Sequence, residues 1–91
     1  MTTCKMDTKI TAENIIEIKE KLKNILSENE ELILNFKGTE FIDSIGLGML
    51  VSLYKQSVQT DKKLIIKNPN DNIFNLLKVT SLDELFEIQH D

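Results

Sequence analysis

Apolar residues recur at Ile15, Ile18, Leu22, Ile25 and Leu26, the three-and-four spacing of one helical face. Glu13, Glu17, Glu20 and Asn24 occupy the other side, with Glu17 four residues before Lys21. Thr11 is placed to cap this helix, and Glu13 stands in its first turn, where the helix dipole favours an acid. After Glu28-Asn29-Glu30 the period changes. Leu32-Ile33-Leu34-Asn35-Phe36 is an uninterrupted run of strand length, the kind that suits a strand covered on both faces of a parallel sheet. A turn at Lys37-Gly38-Thr39 leads through Phe41-Ile42 into a second helix over 46–58, with Leu47, Leu50, Val51, Tyr54 and Val58 on its expected inner side.

The polar segment 60–63 precedes another strand, Leu64-Ile65-Ile66. Asn68-Pro69-Asn70 marks a loop and helix start, because proline fixes its own φ and asparagine caps well. Ile73, Leu76 and Leu77 mark a short third helix, Ser81-Leu82-Asp83 ends it, and 85–88 reads as a last strand. A weak strand at 3–6 opens the chain. Strands alternating with helices predict an α/β fold: a small, largely parallel sheet with crossover helices. Without internal repeat, low-complexity tract or linker, 1–91 reads as one domain.

Charge narrows the partners. The chain of 91 residues carries a net charge of −4, and Lys19, Lys21 and Lys23 alternate with Glu17 and Glu20, so there is no basic patch for nucleic acid or anionic lipid. The lone Cys4 has no internal disulfide partner, and no apolar run approaches membrane-spanning length. The expected compartment is a reducing cytoplasm.

The chemistry concentrates in Phe41-Ile42-Asp43-Ser44-Ile45-Gly46-Leu47-Gly48-Met49-Leu50, where a buried strand passes into a helix. Ser44 is expected to be the N-cap, its hydroxyl accepting from first-turn amides. Each glycine inside a helix costs about 0.5–1 kcal/mol relative to alanine. Two of them in one turn, Gly46 and Gly48, therefore predict a close approach of backbone to its neighbours.

This segment resembles the signature of the STAS family, named for sulfate transporters and anti-sigma factor antagonists: an Asp-Ser pair, a small residue, then Gly-Leu-Gly after a buried strand. Asp43, Ser44, Gly46, Leu47 and Gly48 match it, and Thr11-Ala12-Glu13, Leu53-Tyr54-Lys55-Gln56, Leu64-Ile65-Ile66 and Leu82-Asp83-Glu84-Leu85-Phe86 follow in the family's order. The resemblance covers about nine-tenths of the chain. It implies a STAS fold lacking the family's first N-terminal strand, with Met6-Asp7 as a remnant of the turn before the first helix. Either the sheet is shortened, with an exposed edge that invites self-association as a homodimer, or the sequence starts downstream of the natural beginning.

The resemblance also implies a function. Single-domain members are anti-sigma factor antagonists: they bind an anti-sigma factor that is also a serine kinase, free a sigma factor, and are switched by phosphorylation and by a cognate phosphatase. Ser44 would be the phosphorylated residue and Asp43 its supporting acid, with no catalysis, cofactor or metal of the chain's own. Where the family has a small or hydroxylated residue after the acceptor, this chain has Ile45. Helical spacing puts Ile45, Met49 and Leu53 on one strip away from the expected core stripe. Together with Asp43, Ser44, Gly46 and Gly48 this strip makes up the expected partner-binding surface, unless another part of the chain covers it.

Alternatives remain beside this expectation. Without the resemblance, Asp43-Ser44 is simply a capped helix start. A STAS domain can also serve as a fixed accessory subunit of a transporter or signalling complex, with Ser44 only a contact. A serine hydrolase needs a base, and the single histidine, His90, is next to the last residue. Gly46-Leu47-Gly48 lacks the third glycine and the lysine of nucleotide loops, and the acids Asp7, Glu40, Asp43 and Asp61 lack metal-ligand spacing.

Overall fold

A computed structural model describes residues 2–91. In chain order the elements are β1 (Thr2–Lys5), β2 (Lys9–Ile10), α1 (Ile15–Glu28), β3 (Glu31–Asn35), β4 (Phe41–Ile42), α2 (Ser44–Gln59), β5 (Lys63–Lys67), α3 (Asp71–Val79), a short 3₁₀ turn (Leu82–Glu84) and β6 (Glu87–Gln89). β1, β3, β5 and β6 form a four-stranded sheet in that order, every neighbour parallel. α1, α2 and α3 are the crossovers between successive strands, as the alternating pattern predicts. Two strand segments, not one, precede the first helix, and β1 lies at the sheet edge.

The sheet has two unlike faces. Cys4, Leu32, Leu34, Leu64 and Ile66 point into one core with Ile18, Leu22 and Leu26 of α1 and Leu50 and Leu53 of α2. On the other face Ile33 and Ile65, register partners across β3 and β5, are buried yet stand outside that core. Glu31, Lys63, Lys67 and Glu87 surround them, and Lys63 pairs with Glu87 (3.3 Å) and Glu31 (4.0 Å). So the apolar run of β3 is not sandwiched between helices as expected. Aliphatic stems of charged residues shield its second face.

Helix boundaries follow local chemistry. Thr11 caps a turn ahead of α1 rather than α1 itself: its hydroxyl accepts from Glu13 N–H (3.2 Å), while Asn14 Oδ1 accepts from Thr11 N–H (3.0 Å). Such short side-chain bonds compete with helix formation and delay its start. At the other end, Lys62 reaches back from beyond α2 and donates to the Leu26 (2.8 Å) and Ser27 (2.5 Å) carbonyls. A cation there satisfies orphan acceptors and complements the dipole. Asn70 caps α3 as predicted, accepting from Ile73 N–H at 2.8 Å. The last strand starts at Glu87 because a 3₁₀ turn, entered through Ser81 at φ 61°, uses up Leu82–Glu84.

In α2 the expected face is wrong. Met49 and Leu53, read as surface, are 2 % and 0 % exposed, and the inward arc is Gly46, Met49, Leu50, Leu53 and Ser57. Leu47, Val51 and Tyr54 flank that arc half-buried, and Val58 is exposed. The helix is apolar around most of its circumference, so periodicity offers two nearly equal faces. A neighbour contact at Gly46 decides between them.

Candidate functional site

The start of α2 is held by two strands too short to show a period. β2 and β4 pair in parallel, Lys9 with Phe41 and Ile10 with Ile42. The zipper extends on both sides of this pair: Glu40 N–H donates to the Thr8 carbonyl (2.7 Å) and Asp43 N–H to the Ile10 carbonyl (3.1 Å). Buried Thr39 anchors it, its hydroxyl donating to the Asp7 carbonyl (2.8 Å) while its own carbonyl accepts from the Asn70 amide (3.2 Å). Thus Asp43 and Ser44 emerge from a fixed backbone.

Asp43, not Ser44, is the N-cap of α2. Its backbone is extended (φ −98°, ψ −176°), and Oδ1 accepts from Gly46 N–H at 2.9 Å. Oδ2 accepts from Ala12 N–H at 3.3 Å, tying the turn before α1 to the same carboxylate. Ser44 is therefore the first helical residue and is exposed. The correction has a structural consequence: with the Gly46 amide capped by Asp43, the Ser44 side chain is not the cap of α2.

The two glycines differ. A Cβ on Gly46 would lie 2.5 Å from Ile42 Cγ1 and 3.0 Å from the Ile10 carbonyl oxygen, so the helix start rests directly on the small ladder. A Cβ on Gly48 would meet nothing within 4 Å. The expected close approach holds for Gly46 alone; Gly48 leaves a bare, exposed patch of helix.

Of the residues expected to form the partner surface, Ser44, Ile45 and Gly48 are exposed, and Asp43 is half-buried beneath them. Gly46, Met49 and Leu53 are buried and support this surface without forming it. Their inward orientation follows from the seating of Gly46 on Ile42. The missed contributors are Thr8, Ile10, Thr39 and Asn70; only the capping character of Asn70 was legible. His90 stacks edge-on against Phe74 of α3, centroids 5.5 Å apart. Among the described residues, no group of three His, Cys, Asp or Glu side chains is placed to hold a metal. No helix there is long and apolar enough to cross a membrane.

The architecture is that of a small α/β domain whose second crossover helix begins on an exposed serine beside a capping aspartate. The profile of the STAS domain matches residues 2–91, and the chain belongs to that family. An anti-sigma-B factor antagonist of Listeria monocytogenes is 30% identical over 76 residues, covering 81% of this chain and 66% of the relative. One from Staphylococcus aureus is 33% identical over 58 residues, covering 64% of this chain and 54% of the relative. The matches thus span less than two thirds of the length of these relatives. A Thermotoga maritima protein assigned as an anti-sigma factor antagonist superposes with a TM-score of 0.85 at 24% identity, over 96% of this chain and 78% of the other. SpoIIAA, an anti-sigma factor antagonist in its unphosphorylated form, superposes at 0.74 with 16% identity, over 99% and 79%. These likenesses show the fold.

Proposed function

We propose that this chain is an anti-sigma factor antagonist switched by phosphorylation of Ser44. Its partners are an anti-sigma factor that is also the kinase and a phosphatase that resets the switch. On this reading it works in the cytoplasm as a regulator, not an enzyme. The observation that carries the proposal is the exposed Ser44 hydroxyl at the first position of α2, released from capping by Asp43. The names of the Listeria and Staphylococcus relatives support it, as does a solved phosphorylated form of SpoIIAA.

The switch is electrostatic. A phosphoserine brings about −1.5 to −2 charges and three acceptor oxygens. The first turn of α2 contains no acidic residue, and its leading amides have no intrahelical partner, so the fold accepts the phosphate. A partner surface fitted to a neutral hydroxyl beside Asp43 does not. Phosphorylation then breaks docking while leaving the domain folded.

The test uses the cognate kinase, ATP and mass spectrometry. One phosphate on the wild-type chain and none on Ser44→Ala is expected; modification of Ser44→Ala at another residue would reject Ser44 as acceptor. Binding of Ser44→Glu to the same kinase is the companion measurement. Unchanged affinity would instead favour a fixed accessory subunit.

A further inference from the structure

β1 is an edge strand whose outer side is unpaired. The sheet runs β1-β3-β5-β6, and among the described residues no strand pairs with β1 from beyond. Met6 N–H donates inward to the Asn35 carbonyl (2.9 Å), and peptide groups alternate in direction along a strand. The N–H and C=O groups of Thr2 and Cys4 therefore face β3, and those of Thr3 and Lys5 face outward. The side chains of Thr3 and Lys5 are exposed, whereas Cys4 points into the core. β6, at the opposite edge, presents less. Asn68 N–H donates to the Gln89 carbonyl (2.8 Å), so within Glu87–Gln89 only Ile88 turns its peptide groups outward.

The order of these residues selects the occupant. An open edge is a template for another strand. Two outward residues flanking one inward residue are self-complementary. An identical strand laid antiparallel, with the two-fold axis at Cys4, sets Thr3 opposite the partner's Lys5 and Lys5 opposite the partner's Thr3. Each is a hydrogen-bonded pair that exchanges both N–H···O=C bonds, so no outward group of Thr3 or Lys5 is left over. Other axes do worse. Centring on Lys5 sets it against the partner's Lys5, a like-charge pair, and centring on Thr3 carries Lys5 past the start of the partner strand at Thr2. At the Cys4 axis the two cysteines form a non-hydrogen-bonded pair, with Cα atoms about 4.5 Å apart, within the span of a disulfide.

We propose that β1 pairs with β1 of a second copy, antiparallel about Cys4, joining two four-stranded sheets into one continuous sheet. The thiols stay reduced in this pairing, and a disulfide between them serves only as its probe. No residue of the contact belongs to the 41–50 segment, so the dimer and the Ser44 switch stand or fall separately.

The experiment is sedimentation of the full chain in reducing buffer from micromolar to millimolar concentration, where a monomer–dimer equilibrium is expected. Thr3→Pro removes one outward donor and no bond to β3, so it should leave the chain folded by circular dichroism yet monomeric. Thr3→Glu and Thr3→Lys set an opposite or a like charge against the partner's Lys5, twice in each dimer. They should respectively tighten and weaken association by at least about twofold. Both change only an exposed side chain and decide the question if Thr3→Pro does not fold. Wild type is then oxidised by dioxygen with catalytic copper phenanthroline. Each Cys4 thiol gives up its proton and one electron, dioxygen is reduced, and an S–S bond joins the copies. A covalent dimer is expected from wild type and none from Thr3→Pro or Cys4→Ala. A wild-type chain that stays monomeric throughout would overturn the proposal, as would a dimer that the Thr3 substitutions leave unchanged. A dimer without the Cys4 cross-link would overturn the pairing about Cys4.

Discussion

α2 and α3 begin in the same way and then diverge. Asp43 and Asn70 both accept from the amide three residues on, at 2.9 and 2.8 Å, and both use their second polar atom to hold a distant segment, Ala12 in one case and Thr39 in the other. After its cap α3 places Asp71 in the first turn, as the dipole favours. α2 has Ser44, Ile45 and Gly46 and no acid. Since capping is equivalent in the two helices, it does not account for the exposed serine, the exposed isoleucine or the bare Gly48. The comparison separates what makes a helix start from what is added to it.

Substitution at the glycines should show the largest effect. Gly46→Ala puts a methyl group into Ile42 and the Ile10 carbonyl, and the overpacking should cost about 1–3 kcal/mol by urea denaturation. Gly48→Ala meets open space and should instead stabilise by about 0.5–1 kcal/mol through helix propensity. If both changes shifted stability in the same direction, the distinction between a packed and an unpacked glycine would fail.

Removing the caps tests whether the two starts are equivalent. Asp43→Ala and Asn70→Ala should each lose about 1 kcal/mol, the usual value of an N-cap. Asp43→Ala should also speed amide exchange at Ala12, which donates to the lost carboxylate. A smaller effect distinguishes the first turns. Ser44→Glu should stabilise, and Asp71→Ser destabilise, by about 0.3–1 kcal/mol at low salt, the size of a charge at a helix N-terminus. Destabilisation by Ser44→Glu in a thermal melt would contradict a fold ready to accept phosphate.

The weakest effect concerns the polar sheet face, away from both helix starts. The Gln89 amide, and after it Lys63, holds the Glu87 carboxyl below its ordinary value; Asn68, and after it Lys67, does the same for Asp91. A carboxyl depressed in the folded state adds stability above its unfolded pKa and loses it as pH falls through the folded one. Acid melts should therefore show a slight loss below the ordinary carboxylate range. Lys63→Met should reduce the part due to Glu87 and leave that of Asp91, and an unchanged acid profile would remove Lys63 from the account.

Much of this was legible in the sequence, and the exceptions share a cause. The stripe of α1, the strands around Ile33 and Ile65 and the Asn70 cap stand where spacing and capping chemistry predict, because each is decided within a few residues. The Asp-Ser-x-Gly-Leu-Gly segment pointed to the start of α2 and to Ser44. The roles of Asp43 and Ser44 were exchanged, since both residues cap well and only the extended backbone at Asp43 chooses between them.

The sequence by itself determined the alternation of strands and helices, the family and the exposed-serine segment, all carried by local period and motif. Tertiary structure alone decided which way α2 turned. Gly46 must sit on Ile42 and Ile10, residues supplied by a ladder of two-residue strands with no period to read, and that seating sends Met49 and Leu53 into the core. It also decided that Phe41, Leu76 and Val79, which lie up to 38 positions apart along the chain, line one groove, because they meet only when α3 packs against β4.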